Sequence, residues 1–268
     1  MRASGIASKP LTSKHRRTVV PAGPQRLGGN HGLAHGINMQ LSFWVRRAHK
    51  WIGLVIGVQA LLWMISGLYM VVVPLDVIHG DHLAHVSTEP LKASANRIAQ
   101  GKLTELYPGI TSVRLKNMLG KEVYEIKQGT NAALVDATTG AKMSPLDRDT
   151  IMALADESHV GEGSIRGIEW VTRAPSEVGS RPVPLWAVHY EEAGDTTLYF
   201  SPHTGDLVAR RHNLWRWFDF LWMFHIMDYE TRSDVNNTLL RIASVTALAF
   251  ALSGAWLLLY SFQRRKRA

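Results

Sequence analysis

The run Trp51–Leu75, WIGLVIGVQALLWMISGLYMVVVPL, holds no charged residue between Lys50 and Asp76. At about 1.5 Å of rise per residue, a helix of that length covers roughly 37 Å, enough to cross a hydrocarbon core of about 30 Å with some tilt. Three features argue against a cleaved signal peptide. The apolar region is too long, it begins well inside the chain, and Tyr69–Leu75 offers no small-x-small cleavage site.

A second apolar run, Ile242–Gln263, is bounded by Arg241 and Arg264. Charge orients the pair. Ahead of the first run stand Arg2, Lys9, Lys14, Arg16, Arg17, Arg26, Arg46, Arg47 and Lys50 with no acid; the tail adds Arg264, Arg265, Lys266 and Arg267. All 22 acidic residues fall between Asp76 and Asp234. Basic ends around an acidic middle give the positive-inside pattern for two spans, with both termini cytoplasmic and residues 76–237 outside. The formal charge of +8 therefore points to anionic membrane lipid as the partner, and not to nucleic acid. With no cysteine in the chain, disulfide, iron–sulfur and thiolate chemistry are excluded.

Between the spans the patterning predicts an α+β fold. Lys92–Tyr107 places Ala95, Ala99, Leu103 and Leu106 on one helical face. Strand-like runs follow at 110–115, 122–127 and 132–136, separated by Gly-containing turns. The order then recurs, with a helix over Asp147–His159 capped by the Asp147 side chain and strands at 165–172, 185–190 and 196–201. Leu134-Val-Asp-Ala-Thr-Thr-Gly140 aligns with Tyr199-Phe-Ser-Pro-His-Thr-Gly205, a strand running into a Thr-Gly turn in each case. This internal match predicts two copies of one helix-plus-antiparallel-strand module.

The organisation expected is a disordered basic tail over 1–40, a first transmembrane helix over 41–78, repeats over 86–145 and 146–212, an aromatic interfacial helix over 213–230, a second transmembrane helix over 238–263, and a basic tail over 264–268. In the first span Gly53 and Gly57 form a Gly-x-x-x-Gly pair that lets another helix approach. Ile65-Ser-Gly67 echoes Leu252-Ser-Gly254, which predicts that the spans meet at those two glycines.

Several of these motifs together resemble the PepSY-domain proteins with associated transmembrane helices, a family of the bacterial inner membrane. They are Ala48-His-Lys-Trp-Ile-Gly53 opening the first span, Ile65-Ser-Gly67, the turns Asp136–Gly140 and Ser201–Gly205, and Phe224-His-Ile-Met-Asp-Tyr229 before the second span; they cover about residues 41–263. The resemblance implies an extracytoplasmic domain of two PepSY-like repeats and a part in iron acquisition, including reduction of ferric siderophores. In the family the chain resembles, some larger members, with four spans, bind b-type haem through histidines on the membrane helices. This chain has two spans.

Haem needs an apolar, aromatic slot in the bilayer and one or two neutral imidazoles pointing into it. His49 lies at the cytoplasmic end of the first span, and His225 at the outer end of the second on a face with Phe218, Leu221 and Trp222. These two stand near opposite membrane surfaces, roughly 30 Å apart, so they do not share one iron within a chain. Pairing of His225 with His79 or His82 is one arrangement. A homodimer through the transmembrane helices, in which two copies of His49 face each other, is another. The alternatives are an interfacial role for His49 and a structural hydrogen bond for His225, with Asp228 either orienting the imidazole or bonding backbone. His79, His82 and His85 have spacing that also fits a metal ion on a helical turn, although Gly80 weakens that helix and the His-Glu-x-x-His pattern of zinc peptidases is missing. His159, His189, His203 and His212 show no partners by spacing. No phosphate-binding Gly loop or Gly-x-Ser-x-Gly nucleophile appears in the sequence, so any reduction draws on an external electron donor. Two functions are thus expected: a haem-binding protein assisting electron transfer to ferric iron, or a membrane-anchored periplasmic module that binds a peptide, peptidase or carrier and has no redox role.

Overall fold

The computed structural model describes residues 31–86, 90–91 and 96–265. The chain divides into two units, Met1–Lys50 and Trp51–Ala268. Helix α1 runs from His31 to Val72 and continues from one unit into the other. Its start lies inside the stretch expected to be an irregular tail. Between His31 and Val72 no proline intervenes, and glycine at 32 and 36 costs only about 1 kcal/mol each in a helix. Residues 1–30 and 266–268, which hold the rest of the expected tails, lie outside the described residues.

Pro74 ends α1, and a short α2 (Leu75–His79) stops at Gly80, whose φ of 71° is the left-handed conformation a C-cap requires. The segment after it joins the domain through an Ala84–His159 bridge. Next come α3 (Gln100–Leu106), the antiparallel meander β1 (Ser112–Met118), β2 (Lys121–Gln128) and β3 (Asn131–Asp136), and then α4 (Arg148–Ser158). A second antiparallel sheet follows in the order β4 (Ser164–Val171), β5 (Leu185–Glu191), β6 (Thr197–Phe200) and β7 (Leu207–Arg211). The chain closes with α5 (Asn213–Ile226) and α6 (Thr238–Arg265).

The strands β1–β6 form within three residues of the alternating runs because each has one face to bury, whereas β7 is not among the runs expected. Val123 and Leu134 of the first sheet join Val188, Leu198 and Phe200 of the second and Ile151, Leu154 and Ala155 of α4 in a single core. The opposite face of the first sheet holds Ile126 and Val135 under Leu103 of α3. Asp147 caps α4 as expected, its side chain accepting from the Thr150 N–H at 2.9 Å. Helix α3 is shorter than its sequence pattern. Ile98 N–H is drawn instead to Ala137 O at 2.8 Å, and Ala99 is extended at the helix start. Residues 92–95, the front of the expected helix, lie outside the described residues.

The two Thr-Gly turns have matching bonds. Asp136 Oδ1 accepts from the N–H groups of Thr138 and Thr139, and Ser201 Oγ accepts from those of His203 and Thr204. Each turn closes on a left-handed glycine, Gly140 (φ 75°) and Gly205 (φ 68°). Each glycine also lies under hydrophobic side chains. A Cβ at Gly140 would come within 2.8 Å of Ile98 and 3.0 Å of Leu106; one at Gly205 would come within 3.1 Å of Leu146 and 3.3 Å of Leu154. Lys116 ties the sheets together, with Nζ donating to Thr204 O at 2.5 Å and to Asp206 at 2.8 Å.

Two helical stretches, His49–Val72 in α1 and Thr238–Ala255 in α6, are long and apolar enough to cross a membrane. Their outward faces carry large apolar side chains such as Leu61, Ile65, Leu68 and Val72 on α1, and Ile242, Val245 and Leu252 on α6. Gly53 meets α6 directly, since a Cβ there would lie 3.0 Å from the Phe250 ring, whereas Gly57 faces open space. The expected meeting of Gly67 with Gly254 does not occur. Gly67 instead faces the imidazole of His225 at 3.9 Å, and nothing lies within 4 Å of a Cβ at Gly254.

Candidate functional site

Helix α5 is aromatic on most of its circumference, and it packs along the C-terminal half of the α1 span. Tyr69 OH donates to Leu214 O at 2.9 Å near the start of α5, and Gln59 Nε2 to Phe224 O at 3.4 Å near its end, so the helices are antiparallel. Trp63 Nε1 donates to His225 O at 2.9 Å, satisfying a carbonyl in the last turn of α5.

These contacts place the His225 imidazole against α1, where Nδ1 lies 2.9 Å from Ser66 Oγ. Ser66 is fully buried. Its hydroxyl lies 2.7 Å from Leu62 O and 3.2 Å from Trp63 O; with the proton given to either carbonyl, Oγ accepts from Nδ1–H, the tautomer we assign. That assignment leaves the lone pair of His225 on Nε2, the tautomer a metal-ligating imidazole needs. Trp222 stacks on the same ring with centroids 6.2 Å apart, and Phe218 stacks on Trp222 at 5.8 Å. Ile65-Ser-Gly67 reads in sequence only as a helix contact, which does not single out Ser66; a hydroxyl within an otherwise apolar run is the signal that could have found it.

Asp228 does not orient the imidazole. It accepts from the backbone N–H groups of Glu230, Thr231, Ser233 and Asp234 and, at 2.5 Å, from Thr231 Oγ1. The Thr231 hydroxyl and those amides hold its carboxyl well below the usual carboxylate range. Asp228 therefore shapes the turn from α5 to α6, helped by the Arg232–Asp219 ion pair and by Asn237 Nδ2 donating to Ile226 O at 2.8 Å. Because the folded carboxyl titrates below the unfolded one at about 4, its stabilisation is complete above about pH 4 and fades as pH falls toward the folded value. The gap in thermal midpoint between wild type and Asp228→Asn is accordingly expected to be constant from about pH 7 to pH 5 and to narrow below about pH 4, as read by circular dichroism.

The other candidate histidines lie elsewhere. His49 sits half-buried on α1 in the N-terminal unit. His82 stands edge-on to His212 with ring centroids 5.9 Å apart. His212 caps the start of α5 and approaches Ile78 O through Nε2 at 3.2 Å. Thirteen residues of helix separate it from His225, about 20 Å. His82, and His79 at the end of α2 next to the same element, are thus not brought together with His225. Among the described residues no group of three or more His, Cys, Asp or Glu side chains is placed to hold a metal ion. The triplet His79, His82 and His85 does not converge because Gly80 ends α2 directly after His79, and the backbone of His85 is committed to Ser158 O at 2.8 Å.

Three histidines without partners by spacing do have them in space; the first is His189, whose Nδ1 lies 3.1 Å from Thr197 Oγ1. His212 is buried, and burial, opposed by its bond to Ile78 O, lowers its pKa. His159 stacks on Tyr190 at 3.9 Å.

No curated protein and no solved structure matches the chain. A family described as the PepSY-associated TM region matches residues 46–268, from the foot of the first span through the domain, α5 and the second span. The chain is a membrane protein that belongs to this PepSY-associated transmembrane family.

Proposed function

We propose that this protein binds haem b at His225 and assists electron transfer to ferric iron or ferric siderophores during iron uptake. The observation that carries this reading is the Leu62–Ser66–His225 hydrogen-bond chain, which holds the imidazole at the junction of α1 and α5 and, with the hydroxyl proton on a backbone carbonyl, leaves the lone pair on Nε2. The surroundings fit the group: Trp222 and Phe218 supply an apolar, flat surface beside the imidazole. When bound, haem supplies a one-electron carrier whose potential the axial imidazole and its hydrogen bond tune. The chain itself supplies one histidine at this position. A second ligand comes from outside the pair of helices, and a homodimer through the spans is the arrangement we favour. Electrons arrive from an external donor.

The rest of the reading follows from sequence and fold. The repeated order of helix, meander and Thr-Gly turn supports two PepSY-like repeats. The basic ends and acidic middle support the bacterial inner membrane with both termini cytoplasmic and residues 76–237 periplasmic.

Haem titration of the full chain in detergent tests the assignment. Wild type develops a saturable Soret band, and His225→Ala loses it while keeping its circular dichroism spectrum. Equal titration of both proteins would remove His225 from the site.

One observation favours a second reading as a binding module without redox function. Edge strand β1 borders a crevice of about 340 Å³ between the sheets, where Asn117 Oδ1 is buried with no partner among the described residues. Such a crevice suits an extended peptide segment that supplies a backbone N–H. Wild-type protein that takes up no haem would leave this reading in place of the first.

A further inference from the structure

A second cavity lies on the other side of α2, where His79, Arg181, Arg210 and Arg211 surround about 240 Å³ with Asp81 as the sole acid in its wall. Arg181 lies close enough to Arg211 for the two to repel, Arg210 borders the same space from the next position of β7, and the protein supplies few anions there. Arg211 is buried, and its Nε and Nη1 are given to the carbonyls of Glu177 and Arg210, which are neutral. Burial first, and Arg181 second, push its pKa down to about 10. Arg181 donates to another neutral acceptor, Val178 O, at 2.9 Å. Arg210 pairs with Asp81 at 3.1 Å, yet its Nε is buried with no acceptor. The nearby Glu177 carboxylate is already taken by Tyr199 OH at 2.6 Å and Arg216 at 2.9 Å. The wall therefore holds more positive charge than it neutralises, with at least one buried N–H waiting for an oxygen.

Position narrows the missing anion. Arg211 lies over the ring of Trp215 at 3.9 Å, and Trp215 belongs to the aromatic belt formed with Tyr69 and the exposed Trp217 at the start of α5. Tryptophan and tyrosine gather at headgroup depth, and α2 leaves the α1 span only after Pro74. A phosphate offers several oxygens to a fork of guanidiniums and is the group a bilayer presents at this depth.

We propose that Arg181, Arg210 and Arg211 form a phosphate site at the membrane surface on the side of the α+β domain, occupied by the headgroup of an anionic phospholipid. The site is independent of the haem reading and rests only on the membrane placement of α1 and α5. It orients the domain over the bilayer by holding β7 and α2 to the same lipid.

Calorimetric titration of the full chain in neutral detergent with short-chain phosphatidylglycerol, short-chain phosphatidylcholine and inorganic phosphate tests this. Wild type is expected to bind phosphatidylglycerol more tightly than phosphatidylcholine. Arg181→Gln, at an exposed position, and the double variant Arg181→Gln/Arg210→Gln are expected to weaken that binding by about tenfold or more, the effect of losing charge-assisted hydrogen bonds. Arg166→Gln, on β4 and paired with Asp195 at 3.6 Å, is expected to bind as wild type does. Equal binding of the two lipids, or unchanged binding by Arg181→Gln, would overturn the site. Saturation by inorganic phosphate without binding of phosphatidylglycerol would assign it to a soluble phosphate and overturn the lipid.

Discussion

Phe200→Ala is expected to destabilise the extramembrane domain by about 3–5 kcal/mol, the cost typical of emptying a large aromatic site in a packed core. Phe200 is 1% exposed and ends β6 at the point where the two sheets and α4 share one cluster. Its neighbours cannot collapse into the space easily, because Leu146 and Leu154 already press on Gly205 and Met118 on the same turn. Tyr190→Phe gives the contrast. It keeps the ring and loses only the hydroxyl bond to Ala155 O at 2.9 Å, for about 1 kcal/mol. Urea unfolding of the full chain in detergent, followed by circular dichroism, checks both. A loss below about 1 kcal/mol for Phe200→Ala would mean that the two sheets do not share a core.

Ser66→Ala is expected to weaken haem binding by about 10–100-fold, the range found when the outer partner of a ligating histidine is removed. The reasoning is a count of protons. Ser66 has one hydroxyl hydrogen; with it given to the carbonyl of Leu62 or Trp63, Oγ is left to accept from His225 Nδ1–H. Alanine leaves Nδ1–H buried without an acceptor and frees the ring to take the other tautomer, with Nε2 protonated and unable to ligate. Ser66→Thr keeps a hydroxyl that bonds back to the same carbonyl in a helix and is expected to recover most of the affinity. A merely structural serine predicts no such recovery in the Soret titration. Equal affinity in Ser66→Ala and wild type would show that the serine does not set the tautomer.

The local parts of this protein are readable in its sequence. An uncharged run long enough to span a bilayer has few alternatives, alternation with period two marks each strand, and Asp147 and the Thr-Gly turns announce themselves because a cap or a left-handed residue is chemistry confined to a few positions. Pairing between distant elements is less readable. Periodicity shows that α5 has faces to bury, yet it cannot say that Leu214 and Phe224 meet Tyr69 and Gln59, or that His225 meets Ser66 159 positions away. For the same reason the glycine echo between the spans misled: Gly67 lies beside the His225 imidazole of α5. Ile98 left its helical pattern because the carbonyl of Ala137 needed a donor, a tertiary demand that local propensity does not record. The arginine cavity was invisible for a different reason. Its three cations come from the loop after the 3-10 turn Ser176–Val178 and from β7, and only the folded second sheet gathers them.

An absorption spectrum of the full chain, purified in detergent from haem-replete cells and recorded before and after dithionite, tests the haem site most directly. The structure around His225 predicts a Soret band in the oxidised protein that sharpens and shifts on reduction. Colourless protein, with α5 still docked on α1 as judged by its folded circular dichroism, would contradict it.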